Sequence, residues 1–134
     1  MSLVKYTVPN YNTGVAVEIK YIAPTSGERV QFTLRKDDNN YMFLVAVRYD
    51  TKQFIVNTKL DGNWGEEVTY NDRFNFNSNI AIVIRVKAMP ENYFLIEVNG
   101  NHMAKFQYRH NPVTDVVEAG YQSNVKLESF FVQY

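Results

Sequence analysis

Few residue types in this 134-residue chain could carry chemistry, and they concentrate in VNTKLDGNWGEEVTY, from Val56 to Tyr70. The stretch holds the only tryptophan, Trp64, with Asn57 seven positions before it and the pair Glu66-Glu67 just after. A lone Trp in a turn is ordinarily a partly buried anchor. Here the flanking Gly62 and Gly65 instead predict a ring held out on a tight turn, with little around it. An exposed indole can cover the C–H face of a pyranose, while amide and carboxylate neighbours satisfy the sugar hydroxyls. Exposed aromatics with convergent polar groups are uncommon, which makes a binding role worth weighing against the anchor.

Catalytic chemistry is poorly supported by comparison. Glu66 and Glu67 read as neighbours on a strand, so they point to opposite faces and cannot flank one glycosidic bond. Asp50 or Asp61 could partner one of them, but nothing in the spacing requires it. His102 and His110 are the only histidines, and their spacing matches no metal-ligand pattern. Ser123 to Lys126 reads Ser-x-x-Lys, yet it falls in an apparent strand without the companion motifs of acyl-transfer enzymes. No nucleophile elbow, phosphate loop or dinucleotide fingerprint is present. The expectation is a protein that is not an enzyme, with neither metal nor cofactor.

Bulk properties narrow the partners. Fourteen basic and fourteen acidic residues cancel, so the basic footprint of nucleic-acid binding is missing. No apolar run approaches membrane-spanning length. Cysteine is absent, which removes disulfides and thiolate metal sites. With no charged and apolar leader at the start, the chain is expected to be made in the cytosol as a soluble protein, leaving leaderless export open.

The elements that must position Trp64 and its neighbours are strands. Ten tyrosines and nine phenylalanines suit pleated surfaces. VQFTLRK, YMFLVAVRY, FIVNTKL, IAIVIRVKA, NYFLIEVNG, MAKFQY and VKLESFFVQY alternate with period two, between clusters of Gly, Asn, Asp and Pro. Asn99-Gly100 predicts a type I′ hairpin turn. In FLVAVRYD, Phe43, Val45 and Val47 face one way, while Leu44, Ala46, Arg48 and Asp50 face the other. About ten or eleven strands at this spacing, with no sustained helical period, predict a β-sandwich or barrel built as one domain over residues 1–134.

VNTKLDGNWGEE resembles the sugar-binding stretch of galectins, in which an Asn is followed after seven positions by Trp, then Gly, with a Glu three after the Trp. Asn57, Trp64, Gly65 and Glu67 fit that spacing. GERVQFTLRKDDNNYMFLVAVRYD resembles the strands that lead into the family's binding strand, and the half from Asn92 to Tyr134 resembles its closing half, including the V-N-G-x-H hairpin. The resemblance implies an all-β fold, an antiparallel jelly-roll β-sandwich of two sheets, that binds β-galactosides without metal or catalysis. Carried over by position, Trp64 would stack on the sugar ring, and Asn57 and Glu67 would exchange hydrogen bonds with its hydroxyls.

Galectins carry H-x-N-x-R on the preceding strand, a string this chain lacks. Two registers are open. In one, Arg48 stands for the family Arg, Leu44 replaces the His and Ala46 the Asn. In the other, Arg48, Asp50 and Lys52 replace His, Asn and Arg in turn. The first is favoured because it also aligns Asn39-Asn40-Tyr41 upstream and leaves chain for a loop before Asn57. The family's second Arg, two after the Glu, is Thr69 here. With Leu44 and Ala46 on the floor, the axial hydroxyl of galactose loses two partners. At about 1 kcal/mol each, affinity would fall roughly ten- to a hundredfold. Arg48 would still pair with Glu67, in a geometry that can be bidentate. Two functions follow: a lectin for a galactose-containing or related glycan such as a GalNAc-containing one, or a galectin-like fold that has lost sugar binding and serves protein interaction. A glycosidase is the weakest reading. LVKYTV and KLESFFVQY are expected at sheet edges, where they could pair two or more copies of the chain.

Overall fold

The computed structural model describes residues 2–134. Twelve strands run through them: β1 (Ser2–Thr7), β2 (Ala16–Ile22), β3 (Arg29–Asp37), β4 (Asn40–Arg48), β5 (Gln53–Leu60), β6 (Asn63–Trp64), β7 (Val68–Thr69), β8 (Ala81–Met89), β9 (Tyr93–Val98), β10 (Asn101–Gln107), β11 (Glu118–Ser123) and β12 (Leu127–Gln133). Only two short 3-10 turns, at Asn71–Arg73 and Val113–Asp115, interrupt them among the described residues. The strands form two antiparallel sheets. One runs β1-β11-β3-β4-β5-β6, with β7 also paired to β5; the other runs β10-β9-β8-β2-β12. Of the sandwich or barrel expected from the alternation the chain builds the sandwich, in the all-β, two-sheet jelly-roll form that the family resemblance implies.

Between the sheets lies an aromatic and β-branched core. Phe32, Phe43, Val45, Val47 and Phe54 from the first sheet meet Ile19, Ile84, Val86, Phe94 and Ile96 from the second. Period two explains the division, because each strand sends alternate side chains inward. Strand β4 departs from it. Its inward residues join the core, but Leu44 and Ala46 on its outward side are buried too, in a small separate cluster with Ile55. That second face is where the candidate site lies.

The turns follow their residue types. Asn99 and Gly100 both take positive φ (51° and 80°), as a type I′ hairpin between β9 and β10 requires. Asp61 and Gly62 do the same (51° and 81°) and join β5 to β6. The stretch around Trp64 is therefore a hairpin with two-residue strands at its tip, which raises the expected ten or eleven strands to twelve. Glu66 and Glu67 lie in the link between β6 and β7 rather than on a strand. Ser123 ends β11, and the rest of its Ser-x-x-Lys stretch is not strand. The Ser123 hydroxyl donates to the Arg29 carbonyl and accepts from the Val125 N–H, so it is structural. Strands β1 and β12 sit at the edges of the two sheets, as expected for the terminal segments.

Candidate functional site

The site is assembled on the outward face of the first sheet by strand register. Leu44 stands opposite Asn57, and Ala46 opposite Ile55, across the β4–β5 pair. Cross-strand partners share a face, so Leu44, Ala46, Ile55 and Asn57 converge by pairing alone. Arg48 adds to them from the end of β4, and the hairpin that follows β5 swings Trp64 and Glu67 over the same surface. Together these residues, with Gln31 from β3, bound a cavity of about 450 Å³. That lies within the roughly 300–1,000 Å³ usual for small-molecule sites.

The floor is apolar and the rim polar. Leu44 is 4% and Ala46 9% exposed, and with Ile55 they form the floor. On the rim, Arg48 Nη2 lies 3.3 Å from Glu67 Oε2, a single contact in place of the bidentate geometry anticipated. The second Arg48 nitrogen is 3.5 Å from Gln53 Oε1, which draws the guanidinium away from a parallel fork with Glu67.

Trp64 is 52% exposed, but it is not isolated as its flanking glycines suggested. The Tyr41 ring meets it edge-on at 5.6 Å, and Lys59 Nζ lies 5.2 Å from its centroid. Lys59 stands opposite Trp64 through the β5–β6 pairing, whereas the Tyr41 contact depends on a register shift in β4 between Tyr41 and Leu44, which places Tyr41 opposite Lys59. A bulge of this kind re-aims a side chain, and here it gives the indole a partner on one side while leaving much of the ring open.

Asn57 departs further from expectation. It is only 4% exposed, and its Oδ1 accepts from the Thr58 N–H (2.8 Å) and from Arg109 Nη1 (3.0 Å). Its Nδ2 donates to the Gly65 carbonyl at 3.0 Å. An amide nitrogen carries two hydrogens, so one N–H remains for the cavity and no acceptor does. Asn57 can therefore donate to a ligand but not accept from it.

The remaining sequence candidates lie elsewhere. Asp50 is in the β4–β5 turn, paired to Arg29 at 2.9 Å, and that pairing holds its carboxyl below the usual range. Lys52 occupies a left-handed position in the same turn, with φ of 54°. Because β4 ends at Arg48, neither Asp50 nor Lys52 stands on a strand, and the register that placed them in the site is corrected on that ground. Thr69 pairs with Ile55 from β7 yet lines a separate depression with Asn71 and Arg73. His102 and His110 are apart from the cavity, and among the described residues no three His, Cys, Asp or Glu side chains gather as a metal site would need.

Sequence reasoning missed Gln31, Tyr41, Lys59 and Arg109. Gln31 could have been found by pairing β3 with β4, which sets it opposite Ala46. Arg109 could not, since it reaches Asn57 across 52 positions from the segment after β10.

The family model described as galactoside-binding lectin matches residues 5–132. Among solved structures, a galectin of Caenorhabditis elegans is similar at 20% identity and a TM-score of 0.87, covering 100% of this chain and 92% of that one. Chicken galectin 2 matches at 19% identity and 0.85, covering 96% and 97%. A toad ovary galectin in complex with thio-digalactose matches at 18% identity and 0.86, covering 99% of each. At these identities the structures speak for the fold.

Proposed function

We propose that this chain, which belongs to the galactoside-binding lectin family, binds a glycan in the cavity beneath Trp64 and does no chemistry on it. The single observation that carries the reading is the cavity itself: a half-open indole, one free Asn57 N–H and the Arg48–Glu67 pair surround an apolar floor. A pyranose presents the matching surface. Its C–H face would lie on Trp64, and its hydroxyls would meet Glu67, Arg48 and the Asn57 donor. The thio-digalactose held by the toad ovary relative favours a galactose-containing ligand.

The floor alters the selectivity. Leu44 and Ala46 offer no hydrogen bond to an axial hydroxyl, so galactose is recognised through its rim contacts alone. An N-acetyl methyl group would suit the same apolar surface, which makes a GalNAc-containing glycan the preferred class. We also place pairing of copies through β1 and β12 within this reading, since both are edge strands and Leu3, Val4 and Phe131 are exposed along them.

Trp64 is the only tryptophan, so its fluorescence reports on the site directly. Titration with lactose, N-acetyllactosamine and GalNAc, backed by a glycan array, should give a saturable response and a defined set of bound glycans. Trp64→Ala should abolish binding with the fold intact. A blank array from a properly folded sample would overturn the proposal and leave the protein-interaction module in its place.

A further inference from the structure

We infer that Arg109, contributed from outside the cavity by the segment after β10, is a positioning residue that sets Asn57 and the Trp64 hairpin in binding geometry. The inference rests on the glycan-binding reading above, and it explains how a chain with so few polar groups on its floor keeps those of the rim in place.

Arg109 Nη1 donates to Asn57 Oδ1 at 3.0 Å and to Thr58 Oγ1 at 3.2 Å, and Nη2 donates to the Glu66 carbonyl at 2.7 Å. The guanidinium carbon lies 4.9 Å from the centroid of Phe106, a buried core ring that fixes its plane. One planar fork thus joins β5 to the link that carries Glu67 behind Trp64. Lysine could not do this, because an ammonium is a point donor without a fixed plane.

Two consequences follow for the site. First, the amide of Asn57 is orientated. With its oxygen held by Arg109 and the Thr58 N–H, and its nitrogen held by Gly65, the free N–H can only face the cavity. A charged donor on the oxygen also polarises the amide, which strengthens the N–H as a donor. Second, the link after Trp64 is pinned at Glu66. A Cβ on Gly65 would lie 2.7 Å from Arg109 Nη1, 3.0 Å from Thr58 Oγ1 and 3.1 Å from Asn57 Oδ1. Glycine at that position is what lets the arginine enter.

Arg109→Met keeps the unbranched apolar stem of the side chain but removes the guanidinium and with it every donor. It should weaken glycan binding on the order of tenfold, the loss of about one good polar contact. Arg109→Lys, which can still reach one oxygen, should recover part of that. Because the arginine acts through the amide as well as through the link at Glu66, the Asn57→Ala/Arg109→Met double variant should lose less affinity than the two single losses combined. A melting curve for each variant separates unfolding from misplacement. Wild-type affinity in folded Arg109→Met would overturn the inference, as would full additivity in the double variant. A ligand-free arm keeps it distinct from the function proposed above. The side-chain amide resonances of Asn57 in ¹H–¹⁵N spectra should shift, and exchange faster with solvent, in Arg109→Met. If wild type binds no glycan, the functional reading fails, and these resonances alone decide: unchanged, they overturn the positioning role; shifted, they uphold it.

Discussion

Replacing Leu44 by His and Ala46 by Asn together should raise affinity for lactose while lowering the stability of the fold. Both side chains face the cavity from β4, and Leu44 stands opposite Asn57. An imidazole and an amide there would give an axial hydroxyl two partners that the apolar floor withholds. At about 1 kcal/mol each, the gain is about 2 kcal/mol, or roughly thirtyfold in Kd. The cost falls mainly on Leu44, which is 4% exposed and packs in the cluster with Ile55 and Tyr41. Full burial of a leucine is worth about 1.5–3 kcal/mol, and an imidazole keeps part of the contact. A net loss of about 2 kcal/mol should lower Tm by about 8 °C for a chain of this length. Ala46→Asn adds little to that, because its amide projects into open cavity volume. Isothermal titration calorimetry with lactose at pH 7.5, where the new imidazole is neutral, measures the first quantity and calorimetric melting the second. A folded double variant that binds lactose no better than the parent would refute the placement of the axial hydroxyl over β4.

Other expectations follow from single contacts. Arg35 is 2% exposed, pairs with Glu118 at 3.0 Å and with Asp38, and lies 4.8 Å from the Tyr41 ring. Arg35→Met should cost about 2–3 kcal/mol in denaturant unfolding, less than a fully buried pair because both carboxylates keep some water; a change below 0.5 kcal/mol would contradict it. Gly100→Ala meets no atom within 4 Å, so its cost should be backbone strain alone at φ of 80°, about 1 kcal/mol by the same unfolding assay. Hydrogen bonds from Asn40, Lys5 and Arg29 hold the carboxyls of Asp37, Asp38 and Asp50 below their ordinary range. Their contribution is present above the unfolded-state value near 3.9 and is lost as pH falls through the lower folded values; Tm in this respect should be flat from pH 7 to 5 and decline below about 4, and Asp50→Asn should soften that decline. On the alkaline side burial pushes Tyr49 and Tyr121 up to about 12. Stability should therefore fall once the unfolded phenols ionise above about 10, an event that ultraviolet titration would follow.

The fold was legible because strand periodicity is a local signal. Ile82, Ile84 and Val86 announce their face within one segment, and Asn99-Gly100 declares its turn without reference to anything distant. Much of the site was legible for a related reason. Asn57, Trp64 and Glu67 keep a fixed spacing within one hairpin, and Leu44, Ala46 and Arg48 share a face by parity. Contacts that depend on pairing were less accessible. Tyr41 reaches Trp64 only because β4 shifts register before Leu44, and no residue type marks that shift. Hydrogen bonding hid the true state of Asn57, whose acceptor is consumed by an arginine 52 positions away. The turn at Asp50 and Lys52 misled for the opposite reason: alternation continued in the sequence past the point where β4 stops pairing.

Strand β4 carries two apolar faces, and this shapes what the site can select. Phe43, Val45 and Val47 are held by the core, so the strand cannot slip by one residue without exchanging its faces. Leu44 and Ala46 are therefore committed to the floor by the same packing that builds the sandwich. A ligand seated there must draw its directional contacts from the rim, where Asn57 donates, Arg48 donates and Glu67 accepts. Stacking on Trp64 would then supply orientation, and the floor would discriminate by what it leaves unsatisfied. A sugar that directs a hydroxyl at Leu44 gives up a hydrogen bond to water and gains none, a penalty of about 1–3 kcal/mol. A sugar that directs a methyl group there gains about 0.8 kcal/mol per buried carbon, near fourfold in affinity. The two effects act in the same direction. Under the proposed glycan-binding function, discrimination at this site would thus come chiefly from a penalty on misplaced polarity, set by the burial of β4 and independent of how firmly the rim is held.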